Sequence, residues 1–337
     1  MKIFKIVPLA AVLFLASCAG EEAVEKELQA VESAYPALNS ISKSIATMDD
    51  DDEKRKLLIK RAHWYLDHKF ISDLQADAEK IYKLDSSYAH RNALYALGAI
   101  DQGNYVLAKN FVDAALQFKN GKDEALYAKA ELEYIANQLP NSLETVNDAL
   151  RENQYHYRAY YLKGRIYLEA GDTAKAVSSI RTSVELNPDF YKGFKLLALA
   201  YETADTTFYK EYVNAAARVE PNNAEPIFML ADFHYRNGRI DQAKEVYKQS
   251  IAVDSTFEFS HFNLGVIYLS EDVALDSALT CFEACTRIAP NYTNAWYNMG
   301  LCYEYMDSTT KALSSYNKVL ELNPAYQPAR EAIENLK

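Results

Sequence analysis

The chain has 337 residues, with 36 Lys and Arg against 47 Asp and Glu and a formal net charge of −11. A body this acidic repels phosphate, so nucleic acid is not an expected partner. The six histidines are scattered, and there is no zinc-binding histidine helix, phosphate-cradling glycine loop or nucleophile elbow, so no enzyme site, metal or small-molecule cofactor is expected.

Residues 1–17 read as an export signal. Lys2 and Lys5 precede an apolar run from Ile6 to Ala16. That run is shorter than the ~20 residues a membrane-spanning helix needs, but it has the length and flanks of a secretory signal. It ends in Leu15-Ala16-Ser17-Cys18, which resembles the lipobox of a bacterial lipoprotein. The resemblance implies cleavage before Cys18, which then carries fatty acyl chains (palmitate among them) and anchors the protein to the membrane of a Gram-negative cell. A single acyl chain binds only marginally, so firm anchoring needs more than one. Ala19 stands where Asp would mark inner-membrane retention. By the same resemblance this implies the outer membrane, with the periplasmic or external side left open. An ordinary secretory signal with a chance cysteine is the alternative.

Residues 18–54 show no repeat and read as a lipidated N-terminus and a partly helical tether. Ala23 to Leu38 suits a helix limited by Pro36, and Asp49 to Glu53 is either a solvated linker or the acidic start of a helix.

From residue 55 a unit recurs about every 34 residues. Tyr160-Tyr161-Leu162-Lys163-Gly164, with Tyr167, Ala176 and Pro188, returns as His261-Phe262-Asn263-Leu264-Gly265 with Tyr268, Ala278 and Pro290. It returns again as Trp296-Tyr297-Asn298-Met299-Gly300 with Tyr303, Ala312 and Pro324. Gly164 and Gly300 lie 136 positions apart, four periods of 34. Such a period signals stacked helical hairpins. Glycine inside a helix costs roughly 1 kcal/mol relative to Ala, so its return at one phase predicts a close helix crossing, with the recurring Ala as its small partner. The prolines end the second helices.

This pattern resembles the tetratricopeptide repeat. The resemblance implies an all-α fold, a right-handed superhelical solenoid of about eight hairpins over residues 55–326. A capping helix at 327–337 follows, with Ala332, Ile333 and Leu336 inward. Units begin at 55, 89, 123, 157, 191, 224, 258 and 293; the 191 unit is one residue short in its turn, and the 258 unit one residue long near Glu271-Asp272.

The resemblance also implies that the first helix of each unit lines a concave groove and that a protein or peptide partner binds there. Groove positions give Tyr127 and Tyr134; then Arg158, Tyr161 and Arg165; then Lys192 and Lys195; and in later units Phe228, Tyr235, Phe259, Phe262 and Tyr297. The four cations form a basic spot in an acidic protein, suited to a partner with an acidic stretch and apolar anchors. As surface residues, Arg165 and Lys195 are expected to tolerate charge reversal with little loss of stability. The alternative is that the groove aromatics pack on neighbouring helices. Other lipoproteins of this kind serve envelope assembly or secretion complexes. A glycan-binding or nutrient-binding lipoprotein is the alternative function. Cys281, Cys285 and Cys302 read as buried free thiols, with a Cys285–Cys302 disulfide as the second reading. Asp-Ser/Thr pairs near the turns read first as helix N-caps, and second as a resemblance to O-glycosylation sites.

Overall fold

The structure is a computed structural model that describes residues 35–202 and 205–336. The export signal and Cys18 lie outside the described residues. Among those described there are eighteen helices and no strand. A leading helix α1 (Pro36–Thr47) is followed by helix pairs: α2/α3 (Asp51–Asp67, Ile71–Leu84), α4/α5 (His90–Asp101, Tyr105–Ala115), α6/α7 (Lys122–Ile135, Leu139–Glu152) and α8/α9 (Tyr157–Glu169, Thr173–Leu186). Then come α10/α11 (Tyr191–Tyr201, Thr206–Val219), α12/α13 (Ala224–Arg236, Ile240–Val253), α14/α15 (Glu258–Ser270, Leu275–Ile288) and α16/α17 (Thr293–Tyr305, Thr309–Leu322), with α18 (Gln327–Asn335) last. The chain divides after Gly193 into two compact units.

The recurring glycines sit where the two helices of a pair touch. A Cβ on Gly300 would lie 2.3 Å from the Tyr316 ring, one on Gly164 2.3 Å from Ile180, and one on Gly265 2.8 Å from Phe282. Ala176, Ala243, Ala278 and Ala312 are fully buried on the second helices. The largest sealed aromatics also lie on second helices, at Tyr209, Tyr247, Phe282 and Tyr316, whereas Tyr167, Tyr268 and Tyr303 of the first helices are only half-buried.

A second marker of the repeat is conformational. One residue in the turn of a pair takes a left-handed backbone: Lys69, Gly103, Asn137, Gly171, Gly238, Val273 and Asp307. The steps from 69 to 171 are each 34; 171 to 238 is 67, one short of two periods, and 238 to 273 is 35. The short and long turns therefore fall in the 191 and 258 units, where the sequence places them.

The N-terminal segment differs from expectation. Pro36 opens a helix, because a proline at the first helical position loses no hydrogen bond and its φ is already helical; the part of the expected helix before residue 35 lies outside the described residues. Leu38, Ile41 and Ile45 of α1 join the core. The acidic run starts α2: Asp50 caps it by accepting from the Glu53 N–H at 2.8 Å, and Asp51, Asp52 and Glu53 lie in its positive first turn. The first pair thus begins at Asp51, four residues before the sequence boundary. At the other end, Ala329 and Ile333 of α18 pack on Tyr316 and Val319. Cys281, Cys285 and Cys302 are free, buried thiols, and burial pushes them up to about 11, 12 and 11. No helix among the described residues is long and apolar enough to cross a membrane.

Candidate partner-binding faces

In the first unit, α2 is the longest helix, at 17 residues, and it lies against the first turns of α6 and α8. His63 Nε2 stands 3.1 Å from Glu124 Oε2, and His156 Nε2 stands 3.4 Å from Glu124 Oε1. His156 caps α8: its Nδ1 accepts the Ala159 N–H at 3.2 Å, which assigns the ring proton to Nε2, facing the carboxylate. Arg158 donates to the His63 carbonyl at 3.0 Å and to the Asp67 carboxylate, and Lys192 Nζ reaches Asp67 at 2.8 Å. His63, Glu124, His156 and Arg158 are each under 5 % exposed, so this polar centre is sealed from water.

Its electrostatics follow from burial plus pairing. Burial drives the Glu124 carboxyl up, but His63 and His156 outweigh it and hold the group well below the carboxylate range. The same balance, set by Arg158 and Lys192, lowers Asp67. Burial depresses His63 more than Glu124 raises it. Burial also pushes the Tyr157 hydroxyl up to about 12.

The expected basic spot is therefore not an open positive surface. Arg158 is buried and shares Asp67 with Lys192. Arg165 sits 4.2 Å over the Tyr134 ring and 3.2 Å from buried Glu131, which also accepts the Tyr127 hydroxyl at 2.8 Å. Lys195, in the second unit, meets Glu225 at 2.6 Å. All four cations are paired with carboxylates. Tyr127, at 3 % exposed, is core, and Tyr134 is half-buried with its hydroxyl on Glu169. Charge reversal at Arg165 is therefore expected to cost stability, because a Glu there would face Glu131.

The groove aromatics share one partner type that the sequence reading missed. Tyr161 packs on Phe190 with centroids 5.1 Å apart, Phe228 on Phe257 at 5.5 Å, Phe262 on Tyr292 at 4.9 Å, and Tyr297 on Tyr326 at 5.4 Å. In each case a first-helix aromatic is stapled by an aromatic in the turn that enters the next first helix. The signal was present: Phe257, Tyr292 and Tyr326 follow one another at steps of 35 and 34. These staples order the stack and leave the first-helix rings half-buried. Tyr235 is likewise half-buried, against the core around Tyr247 and Leu264.

Phe259 is the exception. It is 42 % exposed and touches Phe228, Phe257 and Tyr292 at 5.4 to 6.2 Å. The first-helix side of the second unit thus offers an apolar floor from which Phe259 protrudes. On the same series of first helices, Arg236 bridges Glu202 and Asp232. Among the described residues no group of three His, Cys, Asp or Glu could hold a metal ion.

Comparison with known proteins agrees with this architecture. Residues 157–190, 224–257 and 293–326 match the tetratricopeptide repeat. Anaphase-promoting complex subunit 3 of Schizosaccharomyces pombe is 24 % identical over 198 residues, which is 58 % of this chain and 30 % of that protein. The peroxisomal targeting signal receptor of Saccharomyces cerevisiae is 22 % identical over 191 residues, 54 % of this chain and 31 % of that protein. The chain spans under a third of either relative. Among solved structures, the Cut9–Hcn1 hetero-tetramer of the anaphase-promoting complex superposes with a TM-score of 0.59 at 13 % identity, over 87 % of this chain and 58 % of that one, a likeness of fold.

Proposed function

We propose that this chain, which carries tetratricopeptide repeats, is an envelope scaffold that binds a protein or peptide partner on the first-helix face of its second unit. The observation that carries the reading is Phe259, an exposed ring on a floor of Phe228, Phe257 and Tyr292. Exposed aromatics on rigid helices act as anchors because they bury large area at small entropic loss. Residues 194–337 hold 19 Asp and Glu against 12 Lys and Arg. With the basic spot neutralised, the partner is one with apolar anchors and no excess of negative charge. This replaces the acidic partner that sequence alone suggested.

The anchoring proposal rests on Leu15-Ala16-Ser17-Cys18. Acylation at Cys18 would hold the folded body at the outer membrane, within an assembly or secretion complex. Two measurements test the pair of claims. Cys18→Ala should release a folded protein from the membrane fraction, and retention there removes the anchor. Phe259→Ala should keep the melting temperature while losing the proteins that tagged wild type captures from detergent-solubilised membranes. Unchanged capture removes the binding face, and capture of glycan by wild type in place of protein favours the nutrient-binding alternative.

A further inference from the structure

The first-helix face of the first unit is covered by its own sequence at the first turns of α6 and α8. The helix that covers it, α2, reaches Glu124 across 61 residues and Arg158 across 91. This contact is polar, unlike the apolar packing between neighbouring pairs. Two carboxylates and two cations meet at this contact: Asp67 on α2 itself, with Glu124, Arg158 and Lys192 facing it. With His63 neutral the four charges balance, so a proton on His63 adds unmatched charge to a site that is sealed from water.

We propose that the contact of α2 with α6 and α8 is a proton-released clasp. Closed near neutral pH, it withholds the first-helix face of the first unit from partners; acidification charges the buried imidazole and opens it. The consequence for partners rests on the scaffold reading above, but the opening itself does not.

The groups around the imidazole come from every neighbouring helix. On α2 they are Arg55, His63 and Asp67, and on α4 His90, whose ring stacks on Tyr88 at 5.4 Å. On α6 they are Asp123, Glu124 and Tyr127; at the start of α8, His156, Tyr157 and Arg158; and on α10, Lys192. Burial lowers His90 as it lowers His63. His156 is pulled down by burial but further up by Glu124 and Asp123, while its acceptor role for Ala159 works against a second ring proton. Stabilisation from a raised histidine is complete once pH has fallen to the free value of 6.5. Below that value the depressed histidines set the response. Their solvated forms take protons first, so the open state gains up to about tenfold per pH unit.

The test is hydrogen exchange on the full-length chain from pH 7.5 to 5.0, corrected for intrinsic rates. Peptides covering 122–131 and 157–165 should gain about tenfold in exchange between pH 6.5 and 5.5. A peptide covering 309–322, in the second unit, should not. His63→Gln keeps an amide donor toward Glu124 and does not titrate, so it should reduce the response to the part that His90 carries. A flat wild-type curve overturns the clasp, as does an equal rise at 309–322, which means general acid unfolding, or a full response in folded His63→Gln. If His63→Gln does not fold, the wild-type contrast between 122–131 and 309–322 decides alone. No partner is needed in this experiment, so failure of the clasp and failure of the scaffold reading are separable.

Discussion

Arg158 holds α8 to α2 with a charge that water does not reach. Its guanidinium serves Asp67, the His63 carbonyl and the Tyr157 hydroxyl, and it lies 5.4 Å from the Phe190 ring. Removing one partner of a buried pair leaves the other charge unmatched, at a cost of about 3–5 kcal/mol. Lys192 remains on Asp67 and moderates the loss. Arg158→Ala should therefore lower stability by about 3 kcal/mol, read in a urea titration; a change within about 0.5 kcal/mol would mean a surface role for Arg158. A second charge acts in the opposite sense. Asp73 is pushed up to about 6, first by burial and then by Asp77 one turn away. A raised carboxyl binds its proton more tightly in the folded state, so Asp73 costs stability above about pH 6, and the cost vanishes below the free value of 3.8. The group is partly open to solvent, so screening holds the effect to about 1 kcal/mol. Asp73→Asn should stabilise the protein at pH 7.5 by that amount and leave it unchanged at pH 3.5. A gain that persists at pH 3.5 would assign the effect to packing.

At the scale of the helix pair, the turn position that takes a left-handed backbone carries Gly, Asn or Asp in most pairs, residues that tolerate it. Val273 does not: it is β-branched, has φ +51° and is 69 % exposed. Val273→Asn should relieve that strain without loosening the unfolded chain, raising stability by about 0.5–1 kcal/mol in a thermal melt. A lower melting temperature would show that the valine side chain is used. The glycine phase, the prolines and the irregular turn lengths were legible in the sequence because each is a local requirement repeated at a fixed step. The turn aromatics Phe257, Tyr292 and Tyr326 were equally periodic and could have been found by the same counting. The seat of α2 could not. It joins His63 to Glu124 and Asp67 to Arg158, pairs without a repeat between them, and it lies in the first repeat, where residues 55–88 hold no Gly or Pro to mark the phase. That is also why four cations looked like a free basic spot: composition reports the charge but not the carboxylate folded onto it.

Over the whole chain, a repeat array gains most of its stability from contacts between neighbouring pairs, so damage at one pair should spread only as far as those contacts carry it. Gly300→Ala supplies such damage. The added Cβ lies 2.3 Å from the ring of Tyr316, which is fully buried and whose hydroxyl donates to Glu304 at 2.7 Å, so the ring has no room to turn. Overpacking of this kind costs about 1–3 kcal/mol. The sequence supplies a reporter in each unit, because its two tryptophans are Trp64 on α2 and Trp296 on α16. Trp296 packs in the same cluster as Tyr316, whereas Trp64 stacks on His68 and Phe70. Two single-tryptophan backgrounds, Trp64→Phe and Trp296→Phe, report each unit separately in urea. Gly300→Ala should move the Trp296 midpoint down by the full penalty and the Trp64 midpoint by much less. Equal shifts at both tryptophans would mean one cooperative block, and a nearest-neighbour array would then be the wrong description of how this protein is held together.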